Sequence, residues 1–382
     1  MNRNPPRAPT RGHLGMATLA LLLGGAVAVA PAGVAGAGVA AAAPAPATGS
    51  STPASPPPAG SPPAGTPGQG TVPQTPASPE RIKLEVLDAG GEPRFALIGR
   101  RILVRGVIAS YVSGQRVTVS FTRDRRTVAA KVLRVVARRD GTGRFEVPLK
   151  SHYAGTIRAQ VAVHVASGAV LRASAPAVQY VHPDLAPGSR GASVRLLQSE
   201  LSRLHYAVPL NGVFDEGTAR ALIAYRKVTG IERIAHAGTS VFARLARHAG
   251  SFHVRYRHDG RHVEANLTKQ VLAEIEPGGR VRDIYEISSG KPSTPTVVGR
   301  FSVYLKTPGV NAKGMVDSNY FIRGYAIHGY AEVPTYAASH GCLRVPIPDA
   351  AAIFSWVRVG TPVDVYDQSG GGSTHVRGNA GP

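Results

Sequence analysis

One cysteine, Cys342, stands among 382 residues, and that scarcity removes whole classes of architecture. No internal disulfide can form, so the chain is not a stapled extracellular scaffold. A metal site has little to draw on: of thirteen histidines only His328 and His340 lie near the thiol in sequence, with Glu332 the one nearby carboxylate. Acidic residues are also short, 23 Asp and Glu against 44 Lys and Arg, for a formal charge of +21. None occurs before Glu80, and no cysteine lies in that stretch to carry a thioether-linked lipid.

What the first eighty residues do contain is an export pattern. Arg3, Arg7, Arg11 and His13 precede an apolar run from Met16 to Ala30, followed by small-residue endings at Ala35-Gly36-Ala37 and Gly38-Val39-Ala40. This reads as a secretory leader over residues 1–40. The alternative is an uncleaved anchor, in which case this segment is the chain's membrane contact. Residues 41–78 are rich in Pro, Ala, Gly, Ser and Thr without a charge, a composition that cannot bury a core and serves as a spacer. Outside the cell the positive charge has a different meaning. Nucleic acid is not the expected partner; the scattered arginines, with a cluster at Arg123, Arg125, Arg126, Lys131, Arg134, Arg138 and Arg139, suit a solvated face that adheres to an acidic envelope polymer.

Three folded regions follow. Over residues 79–182 apolar residues alternate, as in Ile82-Leu84-Val86, Ile102-Val104-Gly106-Ile108, Val117-Val119-Phe121 and Ile157-Ala159-Val161-Val163. Turn signals at Gly90-Gly91, Ser113-Gly114 and Asp140–Gly143 separate them, which predicts a small β-sandwich, immunoglobulin-like in the broad sense. Residues 185–248 change to a helical period, with Val194, Leu197, Leu201 and Leu204 on one stripe. A second helix starts near Asp215 or Thr218, and a third is predicted from Ser240 through His248. Residues 252–367 return to strands, with a hairpin at Pro277-Gly278-Gly279, a short helix over Asp349–Val357 and a last strand over Pro362–Tyr366. The tail, 368–382, is Gly- and Ser-rich.

The chemistry concentrates around the thiol, in Ser339-His340-Gly341-Cys342-Leu343-Arg344, preceded by His328-Gly329. A thiolate nucleophile needs a neighbouring imidazole or N–H donors to lower its pKa, and an acyl-transfer oxyanion needs donors where its charge appears. Gly341 lets the main chain approach a substrate, and Arg344 can hold a carboxylate. On spacing alone His340 and His328 compete as base, His340 from the cysteine's own segment and His328 from across a cleft.

The residues of two regions resemble known families. Gly191, Val194, Leu197-Gln198, Leu201, Leu204, Tyr206, Gly212-Val213-Phe214-Asp215, Thr218 and Ala221–Tyr225 are similar to a three-helix peptidoglycan-binding module. His328-Gly329 with Ser339–Arg344 resembles the active-site signature of the YkuD-like L,D-transpeptidase catalytic domain, and Thr294–Phe301 resembles the segment before it. That resemblance implies a mainly-β catalytic domain over 252–367 that needs no cofactor or metal. It implies Cys342 as nucleophile, His328 as base, the Gly329 carbonyl orienting the imidazole, and His340 shaping the site. Backbone N–H groups of Gly341 and Cys342 would form the oxyanion hole, with Arg344, Ser339 and Tyr325 on the substrate side. The implied reaction is transfer of a peptidoglycan stem peptide through a thioester, with release of D-alanine and a 3→3 cross-link. Hydrolysis of the thioester, an L,D-carboxypeptidase, and a non-catalytic wall-binding role are the alternatives. One departure is Asn266 before Leu267, where the family has an acidic residue.

Overall fold

A computed structural model of the chain describes residues 81–165 and 168–368; the leader, the spacer and the tail beyond Gln368 lie outside the described residues. No helix among the described residues is long and apolar enough to cross a membrane.

The first body is built from β1 (Ile82–Leu87), β2 (Phe95–Leu97), β3 (Arg101–Ile108), β4 (Arg116–Arg123), β5 (Arg126–Arg134), β6 (Val136–Ala137), β7 (Gly143–Lys150), β8 (Gly155–His164), β9 (Val170–Ser174) and β10 (Val178–Val181). They form two sheets, β1-β3-β7-β6 and β2-β10-β8-β4-β5, with β9 attached to β8. The period of two explains the core between them. Ile102, Val104 and Ile108 on β3 and Val117, Val119 and Phe121 on β4 turn inward, while the residues between them face out. Gly106 occupies an inward position of β3 because the Phe145 ring fills the space a Cβ would need, 2.0 Å away.

The second body contains β11 (Asp184–Leu185), α1 (Ala192–Arg203), α2 (Glu216–Thr229), β12 (Ala237–Gly238) and α3 (Thr239–Leu245). Asp215 is the N-cap of α2, its carboxylate accepting the Thr218 N–H at 2.8 Å. Gly230 ends the same helix in the left-handed conformation. The third helix is shorter than its sequence suggests: it stops at Leu245, and Arg247 and His248 close a turn by donating to Arg244 and Leu245 carbonyls.

The third body comprises β13 (His262–Asn266), β14 (Val271–Glu276), β15 (Arg280–Glu286), β16 (Gly299–Ser302), β17 (Leu305–Val310), β18 (Val316–Ile322), β19 (Tyr325–Tyr330), β20 (Leu343–Pro346), α4 (Ile347–Trp356) and β21 (Pro362–Tyr366). Two sheets result, β15-β14-β13-β21-β16 and β17-β18-β19-β20, packed around a core that includes Ile327, Leu343, Val345 and Ile353. Gly278 and Gly279, at φ 83° and 77°, make the tight loop between β14 and β15. Asn266 takes over a turn role where an acidic residue was expected, its Oδ1 accepting the Lys269 N–H at 2.9 Å.

The helical body does not sit apart from the third. Val194, Leu197 and Tyr225 share one apolar cluster with Val271, Ala273 and Ile284 of the neighbouring sheet. The Tyr206 segment extends that sheet, with Ile284 N–H donating to the His205 carbonyl at 2.7 Å and Ala207 N–H to the Ile284 carbonyl at 3.1 Å. Under α2 the fully buried Lys227 ammonium lies 3.3 Å from the Glu286 carboxylate and donates to the Ile287 carbonyl at 2.9 Å. Burial pulls Lys227 down to about 8 and pushes Glu286 up, each opposed by the partner's charge. Removing one member of such a pair strands the other. Lys227→Ala is therefore expected to cost roughly 3–5 kcal/mol in urea unfolding. Lys227→Met with Glu286→Leu should recover most of that loss, and an undiminished loss in the double variant would contradict the pairing.

Candidate active site

The thiol sits where a parallel strand pair opens. Strands β19 and β20 run parallel with His328 opposite Arg344 and Gly329 opposite Val345. Cys342 is the residue just before β20, so it enters the same cleft as His328 at the end of a loop, residues 331–342, that joins the two strands. Cys342, His328, Ser339, His340 and Arg344 line a cavity of about 320 Å³ together with Lys313, Met315, Gly324 and Tyr330.

The two histidines have different environments. His328 is 3% exposed, and its Nδ1 pairs with the Gly329 carbonyl at 2.9 Å, which leaves Nε2 as the free ring nitrogen. Gly329 must be glycine for a packing reason, since a Cβ would lie 2.8 Å from the Ala350 Cβ of α4. His340, by contrast, is exposed, with its Nε2 3.3 Å from the Lys291 ammonium at the rim. Geometry thus separates two residues that sequence spacing left equivalent.

Electrostatics depart from expectation. A neighbouring imidazole and N–H donors were expected to lower the thiol pKa, yet burial pushes Cys342 up, outweighing an Ala326 main-chain hydrogen bond and the Arg344 and Lys313 charges. Burial also holds His328 below its ordinary value; Arg344 adds to that and the Gly329 carbonyl opposes it. The resting pair is consequently neutral imidazole and neutral thiol, the low-dielectric site disfavouring both charged forms. The thiol donates to the Gly324 carbonyl at 3.7 Å.

A dense set of main-chain bonds fixes the thiol loop. Ser339, fully buried, donates from Oγ to the Cys342 carbonyl at 2.6 Å and accepts the Gly341 N–H at 3.1 Å. Ala338 and Ser339 N–H groups both donate to the Ser289 carbonyl at 2.9 Å, and Lys291 N–H returns to the Ser339 carbonyl at 2.9 Å. Ser288 exchanges main-chain bonds with Arg344 and donates from Oγ to the Tyr336 carbonyl at 2.7 Å. The helical body reaches this network twice, through Lys227 on the Ile287 carbonyl and through the Arg233 guanidinium on the Thr335 carbonyl.

Three of the expected residues have contacts of their own within the loop. Ser339, at the cavity wall, has its hydroxyl engaged within the loop by the Cys342 carbonyl and the Gly341 N–H. Gly341 N–H is likewise engaged by Ser339 and is not a free oxyanion donor in this conformation. Tyr325 packs its ring on Gly341 instead of lining the cavity. Sequence reasoning missed Lys313, Met315, Gly324 and Tyr330. Tyr330 was recoverable: it lies two residues from His328 on one strand face, their rings meet edge to face at 5.6 Å, and Arg344 covers it at 4.1 Å. Lys313 comes from the turn between β17 and β18, with no local signal to mark it.

Residues 260–365 match the family model described as YkuD: L,D-transpeptidase catalytic domain. Among solved structures, an L,D-transpeptidase from Xylanimonas cellulosilytica is 32% identical, with 49% of this chain and 98% of that chain covered at a TM-score of 0.45. One from Stackebrandtia nassauensis is 21% identical over 48% of this chain and 95% of that chain, TM-score 0.32. A mutant L,D-transpeptidase from Enterococcus faecium is 30% identical over 28% of this chain and 50% of that chain, TM-score 0.24. No curated protein matches the chain.

Gly341 has φ 116°, and a Cβ there would fall 1.7 Å from the Tyr325 ring. Gly341→Ala therefore meets both a clash and a disfavoured backbone region, and is expected to lower the melting temperature and slow alkylation of Cys342. Adding Tyr325→Ala removes the clash but not the backbone cost of about 1–3 kcal/mol. The double variant should recover only part of the loss; full recovery would mean that the turn itself tolerates a side chain.

Proposed function

The chain is an L,D-transpeptidase, its residues 260–365 belonging to the YkuD family of catalytic domains, and we propose that it forms 3→3 cross-links between peptidoglycan stem peptides with Cys342 as nucleophile. One observation carries the reading above the others: a buried imidazole oriented by the Gly329 carbonyl opens into the same cavity as the chain's one thiol. That pairing is a nucleophile with an oriented base.

In the proposed reaction His328 Nε2 takes the thiol proton as the sulfur attacks the carbonyl at the L-centre of the diamino acid in a tetrapeptide stem. A new C–S bond forms, and the carbonyl oxygen becomes an oxyanion. The Cys342 N–H is assigned as its main-chain donor, because the Gly341 N–H already serves Ser339. Collapse breaks the C–N bond to D-alanine, whose amine leaves with the proton from His328. The side-chain amine of a second stem then attacks the thioester, His328 removes its proton, and the C–S bond breaks to restore the thiol. Lys313 and Arg344 give the cavity two cations for the carboxylates of the stem, and Lys291 with His340 forms its polar rim.

The same reading assigns residues 1–40 to export, 41–78 to a spacer, 79–182 to an immunoglobulin-like sandwich and 185–248 to a peptidoglycan-binding type of module, so that the enzyme works at the cell wall. Incubating the purified chain with a disaccharide-tetrapeptide and an acceptor stem tests the reaction. Free D-alanine with a cross-linked dimer is expected. Tripeptide without dimer would favour the L,D-carboxypeptidase, and no turnover would favour wall binding alone.

The pKa directions give a pH profile. With His328 lowered, its neutral, proton-accepting form persists to a more acidic pH than an ordinary histidine near 6.5. With the Cys342 thiol raised, no thiolate accumulates at neutral pH. Acylation should thus fall only below the ordinary histidine range and should not decline through neutral pH, and thiolate absorbance should appear late in an alkaline titration. A thiolate signal at neutral pH would contradict the neutral resting pair.

A further inference from the structure

The first body carries an uneven charge that catalysis does not use. Residues 81–181 hold eighteen Lys and Arg against six Asp and Glu, a net +12 within the chain's +21. The two sheets divide that charge differently. On the β1-β3-β7-β6 side, acids compensate most of the bases, Lys83 meeting Glu85 at 3.1 Å, Arg105 meeting Glu146 at 2.8 Å and Arg138 meeting Asp140 at 3.8 Å, while Arg101 opposite Lys150 has no acid beside it. The outward face of β4, β5, β8 and β9 carries Arg116, Arg134, Arg158 and Arg172, all exposed, and none has a carboxylate partner among the described residues.

Strand register shows how these arginines are arranged. Arg116 lies directly opposite Arg134, Arg172 is opposite Ala162, and Arg158 is opposite Thr122. Like charges directly opposite each other oppose sheet formation, and no acid relieves this pair. Between the two ends of the face Thr118, Ser120 and Gln160 alternate across the strands with Val132, Ala130 and Ala162, so no further charge lies there. Six residues separate the level of Arg116 from that of Thr122, about 20 Å of strand. The cations are therefore spread along the strands instead of converging on one point. Such a face fits repeated single anions on an extended chain, not one small anion in a pocket. All four cations are arginines, whose planar fork matches phosphate oxygens in pairs.

Resting on the assignment of the enzyme to the cell wall, we infer that the outer face of the β4-β5-β8-β9 strands docks a phosphodiester-linked envelope polymer. Holding one wall polymer on this body keeps the catalytic domain among its stem-peptide substrates by raising their effective concentration.

The test uses the full chain and fluorescent poly(glycerol phosphate), with anisotropy read over a range of salt. Arg116→Gln/Arg134→Gln/Arg172→Gln should weaken binding at least tenfold and flatten its salt dependence. The charge-matched Arg100→Gln/Arg101→Gln/Lys150→Gln should stay within threefold of the parent. Equal losses in the two variants would overturn the site in favour of bulk charge, as would no loss in either or no binding by the parent. Polygalacturonate or duplex DNA binding as tightly as the phosphodiester would overturn the choice of occupant. Acylation of Cys342 by a carbapenem, measured on the same samples, should be unchanged in both variants. A failure of the surface is thereby separated from a failure of the transpeptidase assignment.

Discussion

The buried hydroxyl of Ser339 is the constraint on which the site depends. It accepts the Gly341 N–H and donates to the Cys342 carbonyl, closing a two-bond turn around the residue that must present a thiol. Everything on either side of that turn is held by main chain: Ser289 below it, Lys291 beyond it, and Arg344 paired to Ser288. A thiol that has to attack at a defined angle gains from this arrangement, because the cost of ordering the loop is met in folding and not at the moment of reaction. The left-handed backbone at Gly341, with the Tyr325 ring resting on it, is the local consequence.

The turn in turn depends on a neighbour that sequence reading treats as a separate module. Lys227 of α2 reaches the Ile287 carbonyl one residue before Ser288, and Arg233 reaches Thr335 within the thiol loop. Arg220 pairs with Asp349 at the start of α4, 3.3 Å away. With a shared apolar cluster beneath these contacts, the helices act as a buttress for the catalytic sheet. A tether that only bound glycan would need none of the three contacts.

Much of this was legible in the residues, for physical reasons that also mark the limit. Strands of the first body announce themselves because one face is buried and the other wet, so that Ile102, Val104 and Ile108 alternate with exposed neighbours. The end strand Pro362–Tyr366 and the Gly278-Gly279 hairpin were readable from the same local rules. The third helix was overextended because Ala246, Arg247 and His248 are all compatible with a helix, whereas the chain tightens after Leu245 into a turn that closes at His248, φ 55°. At the site, residue types identified the thiol and its two histidines. Spacing could not tell the surroundings of His328 from those of His340, since burial and the Gly329 carbonyl distinguish them, and both are set by strand pairing. The direction of the thiol pKa was also hidden: a nearby charge can be read from sequence, but the burial that outweighs it cannot. The bonds of the Ser339 hydroxyl were hidden for the same reason, as only the fold reveals where a hydroxyl's partners are.

The central claim is that His328, not His340, removes the proton from Cys342. Intact-protein mass spectrometry of acyl-adduct formation from a tetrapeptide donor, on His328→Ala and His340→Ala side by side, tests it most directly. A positioned general base contributes about 10²–10⁴ to the rate. Loss on that scale in His328→Ala, with His340→Ala within about tenfold of the parent, is the predicted result. Loss of the adduct in His340→Ala while His328→Ala still acylates would contradict the account.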